Sequence, residues 1–233
     1  RNDLQLGRGE TWEDTGRVLS RYVQGVVVRT FAQEGVEALA EAASVPVINA
    51  LTDRFHPCQV LADLLTLKEH FGRLRGLKLT YVGDGNNMAH SLMLGGALAG
   101  LDVVVCTPPG YEPDSRVVEQ ARRLAERSGC SVRLSHRPEE AAAAADALYT
   151  DVWTSMGQEA ERERRLRDFQ GFQLNEELLK KAASHAVVLH CLPAHRGEEI
   201  TAGVLEGEQS LVFPQAENRL HVQKAVLAAL LGF

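Results

Sequence analysis

The stretch that decides the fold is residues 77–106, which read LKLTYVGDGNNMAHSLMLGGALAGLDVVVC. The apolar run 77–82 predicts a strand, the glycine-containing turn 83–87 interrupts it, and residues 88–98 predict a helix. A second apolar run at 103–106 predicts the next strand. A strand, a helix and a strand in this order form a βαβ unit, whose two strands lie parallel.

The same alternation extends along the rest of the chain. The further predicted elements are strands at 26–28, 45–48, 131–134, 148–152 and 186–189 and helices near 36–40, 57–71, 115–128 and 220–231. This pattern predicts the α/β class, with mostly parallel sheets covered by helices. Gly72 and Gly76 interrupt the alternation and mark the predicted junction between two domains.

Length and composition exclude several classes of protein. The chain has 233 residues, 45% of them hydrophobic, which is ordinary for a globular protein and unlike collagen or a long disordered segment. With 25 basic against 31 acidic residues, the net charge of −6 argues against general binding to nucleic acid or to an anionic membrane surface. No apolar run approaches the ~18 residues of a membrane span. An anion-binding site therefore has to be a local basic pocket.

The four cysteines, at 58, 106, 130 and 191, form no C-x-x-C pair, which argues against a zinc knuckle or a disulfide framework. Cysteines this sparse suit a reducing compartment, and we expect a cytoplasmic protein.

The first motif is the turn Gly83-Asp84-Gly85-Asn86-Asn87-Met88. It partly resembles the glycine-rich fingerprint of nicotinamide oxidoreductases, but Met88 replaces the third glycine and the next strand ends without the ribose-binding acid. A turn here would instead place Asn86 and Asn87 at the carboxyl edge of the sheet, where they suit a zwitterionic small molecule. The alternative is a structural turn with a capping Asn.

The second motif is Phe55-His56-Pro57-Cys58-Gln59, which follows a strand and opens a helix. His56 and Gln59 are three residues apart and can share the helix N-terminus, where the dipole favours anions and polarised oxygens. The alternative interpretation of His56 is a helix cap.

The third motif, residues 150–157, reads TDVWTSMG. Asp151 closes a predicted strand and suits an ammonium group, and the loop that ends at Gly157 is a candidate lid. The charged stretch 159–167 that follows predicts a solvated helix face.

The fourth motif, residues 190–197, reads HCLPAHRG. It predicts Cys191 at the end of a strand, beside His190 and near Arg196, where a thiolate could form, although a buried inert cysteine is the alternative. His190 and His195 are five residues apart and no H-E-x-x-H pattern occurs, so no metal site is predicted.

Together these motifs resemble the ornithine carbamoyltransferase family over the whole chain. The resemblance also rests on Gln5-Leu6-Gly7-Arg8-Gly9-Glu10, Val28-Arg29-Thr30-Phe31 and Ala216-Glu217-Asn218-Arg219. Ser155-Met156-Gly157 distinguishes the chain from the aspartate and putrescine carbamoyltransferases, which build this loop differently.

The resemblance implies two doubly wound α/β domains, the first of them incomplete. The expected division is residues 1–72 for part of the carbamoyl phosphate domain with a linker helix, 73–213 for the ornithine domain, and 214–233 for a helix that returns to the first domain. The family's Ser-Thr-Arg-Thr-Arg loop, which grips the phosphate, matches no stretch of the 233 residues. We therefore expect that an upstream part of the enzyme is missing and that this polypeptide alone forms little citrulline.

The activity implied is attack by the uncharged δ-amine of L-ornithine on carbamoyl phosphate, which gives citrulline and phosphate. By resemblance the carbamoyl phosphate site comprises Gln5, Arg29, His56, Pro57, Cys58, Gln59, Cys191, Leu192 and Arg219. The ornithine site comprises Asn87, Asp151, Ser155 and Met156. Of these, Arg29, His56, Asp151 and Cys191 are the expected catalytic residues, with Cys191 the candidate proton acceptor.

The resemblance further implies that no metal or organic cofactor is needed, a homotrimer or a higher assembly of trimers, and a place in arginine biosynthesis or the urea cycle. Phosphorolysis of citrulline would use the same motifs. The alternatives are a related carbamoyltransferase with another amine substrate, a non-catalytic protein that only binds ligand, and a nicotinamide oxidoreductase.

Overall fold

The computed structural model describes residues 9–155 and 157–232 and confirms the α/β class with parallel sheets. The strands are β1 (Val26–Arg29), β2 (Val47–Leu51), β3 (Lys78–Val82), β4 (Asp102–Cys106), β5 (Val132–Ser135), β6 (Ala147–Thr150) and β7 (Val187–His190). The longer helices are α1 (Trp12–Leu19), α2 (Gln33–Ala42), α3 (Pro57–Phe71), α4 (Asn87–Ala99), α5 (Ser115–Ser128) and α10 (Val212–Leu231). The short ones are α6 (Pro138–Ala142), α7 (Arg162–Asp168), α8 (Glu176–Leu179) and α9 (Ala202–Leu205), with one 3₁₀ turn at Glu159–Glu161.

Five of the strands form one parallel sheet in the order β5-β4-β3-β6-β7. Strands β4 and β5 lie on one side of β3, and β6 and β7 lie on the other side. The direction in which strands are added therefore reverses between β3 and β6. In open α/β sheets a crevice forms outside the carboxyl ends of the strands at such a reversal. The turn after β3 and the loop after β6, which carry the first and third motifs, therefore meet at this crevice.

The second sheet consists of β1 and β2, which pair in parallel. Helix α2 packs against β2, and α3 packs against β2, α4 and the last helix, α10. Helix α3 thus lies between the two sheets. Pro57 occupies its first turn, where a missing N–H costs nothing, and Gly72 ends it in the left-handed conformation at φ +72°.

The last helix is longer than the sequence predicted. Helix α10 begins at Val212 and not near residue 220, because Pro214 lies in its first turn, where proline breaks no intrahelical hydrogen bond. The added turns bring Gln215 and Asn218 to buried positions against α3. No helix among the described residues combines the length and apolar character needed to cross a bilayer.

Candidate active site

A cleft of about 590 Å³ opens at the crevice between β3 and β6, and residues from both sheets line it. Eight of the predicted site residues lie on its walls, namely Arg29, His56, Asn87, Asp151, Ser155, Cys191, Leu192 and Arg219. The structure therefore brings together side chains that are up to 190 positions apart in the chain. Gln5 and Met156, two further predicted site residues, lie outside the described residues.

Asp151 is the centre of the acidic wall. One carboxylate oxygen accepts from the Cys191 thiol at 3.0 Å and from the backbone N–H of Val152 at 2.8 Å, and the other accepts from the Asn86 amide at 3.0 Å. Asn86 in turn caps α4, because its oxygen accepts from the backbone N–H of Met88 at 2.9 Å. The capping alternative is thus right for Asn86, which also orients the carboxylate.

Cys191 is a protonated thiol in this arrangement. Burial first, and then the charge of Asp151, raises the pKa of Cys191 well above its usual value. The thiol donates its hydrogen to Asp151, which is a geometry for a neutral donor and not for a thiolate. The predicted cationic help does not come from Arg196, whose guanidinium pairs with Glu206 at 2.9 Å.

Asn87 reaches across the cleft to the smaller sheet. Its amide nitrogen donates to the backbone carbonyl of Thr52, one residue after β2, at 2.7 Å. Within the described part of the chain, one amide hydrogen and the amide oxygen of Asn87 make no hydrogen bond, which leaves them for a ligand. Sequence patterns gave no sign of Thr52, since its contribution is a backbone carbonyl.

The opposite wall is cationic and carries His56. Arg29 and Arg219 line the cleft, and their charges reach the imidazole. Burial, followed by the charges of Arg219 and Arg29, lowers the pKa of His56 to about 4, so the ring is neutral at pH 7. Its Nδ1 has no hydrogen-bond partner among the described residues, and the side chain makes no capping bond to α3. The geometry therefore favours a ligand-facing imidazole over the cap interpretation.

Three predicted carbamoyl phosphate residues on α3 do not line this cleft: Pro57, Cys58 and Gln59. Cys58 lines a smaller cavity of about 220 Å³ on the other side of Arg29 and Arg219. Gln59 is 1% exposed and donates from its amide nitrogen to Asp63 at 2.9 Å.

His190 supports the loop that carries Cys191 and Leu192. Its Nδ1 accepts from the backbone N–H of Leu192 at 2.8 Å, and its Nε2 donates to the buried Glu199 at 3.1 Å. Leu192 has a positive φ of 57°, a conformation that needs such support in a residue with a branched side chain. Both ring nitrogens of His190 are therefore used, which leaves it unsuited to ligate a metal together with Asp151 and Cys191.

The charged stretch after the third motif is not simply a solvated face. Arg165 is 6% exposed and donates to Asp84 at 2.8 Å and to the backbone carbonyl of Trp153 at 2.9 Å. Arg165 thus connects α7 and the candidate lid, at Trp153, to the turn after β3. The sequence around Arg165 is highly charged, so it gives no sign that this one side chain is buried. Only its contact with Asp84 in the folded chain distinguishes Arg165 from its exposed neighbours.

The second glycine of the first motif has a structural reason. A Cβ on Gly85 would lie 2.4–2.5 Å from backbone atoms of the loop Tyr111–Pro113, so only glycine permits this loop to pack there. Gly85 is thus explained without a dinucleotide.

Comparisons with known proteins agree with this geometry. Residues 75–230 match the family model described as aspartate/ornithine carbamoyltransferase, Asp/Orn binding domain, and residues 1–69 match the carbamoyl-P binding domain of the same family. Ornithine carbamoyltransferase from Nostoc punctiforme is 61% identical over 99% of this chain and 75% of its own length.

Solved structures give the same result. The ornithine carbamoyltransferase of Pyrococcus furiosus superposes with a TM-score of 0.95 at 56% identity, over 99% of this chain and 74% of that one. The enzyme of Gloeobacter violaceus gives a TM-score of 0.89 at 57% identity, over 95% of this chain and 75% of that one.

Proposed function

The chain belongs to the aspartate/ornithine carbamoyltransferase family, and from this premise we propose that it transfers the carbamoyl group of carbamoyl phosphate to the δ-amine of L-ornithine. The products are L-citrulline and phosphate. The observation that carries the proposal is the cleft, in which a cationic wall with His56, Arg29 and Arg219 faces the carboxylate of Asp151. One wall suits an acyl phosphate and the other an amino acid.

The ornithine site centres on Asp151. A carboxylate held by Asn86 and the Val152 N–H is a fixed partner for the α-ammonium group. Asn87 has an amide hydrogen left for the α-carboxylate, and Ser155 lines the same wall. Met156 completes the proposed set by resemblance.

The carbamoyl site lies on the opposite wall. During attack, negative charge develops on the carbonyl oxygen, and donors placed in advance stabilise it. Arg29 and Arg219 supply positive charge, and the neutral ring of His56 adds no repulsion of the kind that an imidazolium would add beside them. Gln5, Pro57, Cys58, Gln59 and the Cys191-Leu192 segment complete the proposed carbamoyl phosphate site.

The proton on the δ-ammonium group has to leave before attack. Cys191 remains the proposed acceptor by resemblance, although in the free protein its thiol is already protonated and bonded to Asp151. The geometry supports a contact role for this thiol at least as well, and the pH dependence separates the two roles.

We further propose the division into residues 1–72, 73–213 and 214–233, a homotrimeric assembly in the cytoplasm, and a place in arginine biosynthesis. A related carbamoyltransferase with another amine remains the second candidate. Asp151 and Asn87 are the proposed partners of the α-ammonium and the α-carboxylate of the amine substrate, so the α-carboxylate is the feature to vary. Activity with putrescine, which keeps a second amino group but lacks the α-carboxylate, would favour this second candidate.

The experiment is a colorimetric citrulline assay. It uses the 233-residue chain and an extended chain, defined as the same residues joined at Arg1 to a segment that carries the Ser-Thr-Arg-Thr-Arg loop. We expect the extended chain to make citrulline from ornithine and carbamoyl phosphate and the 233 residues to make much less. An extended, folded chain that consumes carbamoyl phosphate without making citrulline would contradict the proposed function.

A further inference from the structure

We propose that Asp63 is a positioning residue that fixes the side-chain amide of Gln59, and that it thereby makes the site select a carbamoyl group over an acetyl group. The inference rests on the proposed function, because it concerns how the same acyl phosphate is recognised. Neither the motifs nor the lining of the cleft indicate Asp63, which is a buried residue in the middle of α3.

The contact between Asp63 and Gln59 defines which end of the amide is free. Both side chains are 1% exposed, and the amide nitrogen of Gln59 donates to Oδ1 of Asp63 at 2.9 Å. The amide oxygen of Gln59 is buried and has no hydrogen-bond partner in the described part of the chain. A buried acceptor without a donor costs free energy, so it marks a place where a donor is expected to arrive.

A second glutamine holds Asp63 in place. The amide nitrogen of Gln215, on α10, donates to the same Oδ1 at 2.6 Å and to the hydroxyl oxygen of Tyr149 at 3.1 Å. The amide oxygen of Gln215 accepts from the backbone N–H of His190 at 2.9 Å. Asp63 is thus clamped between Gln59 and the strand end that leads into Cys191 and Leu192, the other proposed contacts of the carbamoyl group.

The position of Gln59 on the helix places it next to His56, which lines the cleft, although Gln59 itself does not. Gln59 follows His56 by three residues, so both side chains leave α3 on the same side. Among the described residues, the amide oxygen of Gln59 is a buried acceptor without a partner in the first turn of the helix. A planar group that carries an N–H donor would satisfy it.

The carbamoyl group has such a donor. It carries an NH₂ group where an acetyl group of nearly the same size carries CH₃. A site built to hydrogen-bond an N–H rejects an analogue that lacks it, because its own buried polar group is then left unpaired. Were Gln59 free to rotate, its amide could present NH₂ instead, and the discrimination would weaken.

The acceptor role of Asp63 does not depend on its charge. Burial raises the pKa of Asp63 to about 7, against the hydrogen bonds from Gln59 and Gln215, so both protonation states are accessible. Its Oδ2 has no partner among the described residues, so a proton can reside there while Oδ1 continues to accept from both glutamines. An asparagine can therefore replace Asp63 in this role, whereas a leucine of similar shape cannot.

The test compares Asp63→Leu with Asp63→Asn in the extended chain, which we expect to make citrulline. The measurements are KM and kcat for carbamoyl phosphate and the inhibition constant of acetyl phosphate as a competitor. We expect Asp63→Leu to raise KM for carbamoyl phosphate about tenfold, the loss of one buried hydrogen bond, while the inhibition constant of acetyl phosphate stays within about threefold. Asp63→Asn should restore most of the discrimination.

Thr66→Val is the matched control. Thr66 is buried one turn further along α3 and accepts from Asn218 of α10 at 3.0 Å, so its loss weakens the same helix pair without touching Gln59. We expect this control to lower the unfolding temperature and to leave both constants unchanged. Two results would overturn the role of Asp63. One is an equal change of the KM for carbamoyl phosphate and the inhibition constant of acetyl phosphate in Asp63→Leu. The other is an equal loss of discrimination in Asp63→Asn and Asp63→Leu. If the extended chain without any substitution made no citrulline, that result would instead count against the proposed function.

A measurement on the unaltered 233-residue chain needs no variant to fold. In ¹H–¹⁵N spectra, one side-chain amide proton of Gln59 should exchange with solvent much more slowly than a free glutamine amide, since it is bonded to a buried carboxylate. Exchange of both protons at the free rate would overturn the proposal by itself.

Discussion

The Sγ atom of Cys191 lies 3.0 Å from Oδ1 of Asp151, and the thiol donates its hydrogen to the carboxylate. This contact joins the residues that directly follow two paired strands, β6 and β7, at the carboxyl edge of the sheet. Burial, followed by the charge of Asp151, raises the pKa of the Cys191 thiol, so the hydrogen stays on the sulfur. A substrate ammonium group entering the cleft therefore meets a carboxylate beside a neutral thiol.

Asp151→Asn should weaken ornithine binding far more than carbamoyl phosphate binding. The substitution removes a charge-assisted contact with the α-ammonium, a loss of ~1.5–3 kcal/mol. Calorimetry with each substrate measures the two affinities separately. Asp102→Asn is a suitable control, since Asp102 accepts from Ser131 at 2.8 Å at the amino edge of the same sheet, away from the cleft. Equal losses for both substrates in Asp151→Asn would count against the assignment.

Cys191 should react slowly with iodoacetamide. A raised pKa means that less thiolate is present at pH 8 than in a free thiol, and only the thiolate attacks. We expect alkylation at least ~10-fold slower than that of N-acetylcysteine, followed by peptide mass spectrometry. Alkylation as fast as the free thiol would show a thiolate and would favour Cys191 as the proton acceptor.

The same question has a kinetic test in Cys191→Ser. If the thiol accepts the proton of the δ-ammonium, the serine variant loses turnover and the alkaline limb of the pH–rate profile moves. If the thiol only contacts the substrate, turnover falls while the profile keeps its shape. From the geometry of the free protein we expect the second result.

Arg165→Met should destabilise the chain by about 3–5 kcal/mol at pH 8, because it leaves the buried carboxylate of Asp84 without its partner. Burial, opposed by Arg165, raises the pKa of Asp84 to about 6, which is above the value of 3.8 for an exposed Asp. Without Arg165 the pKa of Asp84 rises further, so the variant takes up the proton at a higher pH than the unaltered protein does, and the penalty in Arg165→Met shrinks as the pH falls toward 6.

Urea denaturation at pH 8 and pH 5 measures this difference. Arg164→Met is the matched control, since the neighbouring Arg164 is well exposed and forms only surface pairs, which are worth about 1 kcal/mol at most. A loss in Arg165→Met no greater than in the control would show that the ion pair does not anchor the lid.

The part of the fold that follows local patterning was predictable from the sequence. The βαβ order around residues 77–106 predicted β3, α4 and β4, and the carboxyl-edge rule then predicted that Asn86 and Asn87 lie at the edge where the cleft opens. The start of α10 was not predictable in the same way, because Pro214 has the same signature whether it ends a loop or opens a helix.

The supporting residues escaped prediction for a different reason. Arg165 and Gln215 lie in stretches that look solvated, and their roles depend on Asp84 and Asp63, which are 81 and 152 positions away in the chain. A sequence pattern reports the period of one element, and it contains no record of the partner against which a single polar side chain is buried. Such contacts appear only when the elements are packed.

The imidazole of His56 should titrate about two pH units below an exposed histidine. Burial and the charges of Arg219 and Arg29 lower its pKa from 6.5 to about 4, so the folded protein binds fewer protons than the unfolded one between those values. Stability that is fully present above pH 6.5 is therefore lost as the pH falls toward 4, by roughly 3 kcal/mol at about 1.4 kcal/mol per pKa unit. The imidazole carbon-bound protons, followed by NMR from pH 3.5 to 8 and assigned with His56→Gln, report the midpoint directly. The exposed His221, on α10, provides the comparison in the same spectra. A midpoint near 6.5 for His56 would mean that neither burial nor the two arginines act on the ring, and it would remove the argument for a neutral imidazole on the cationic wall.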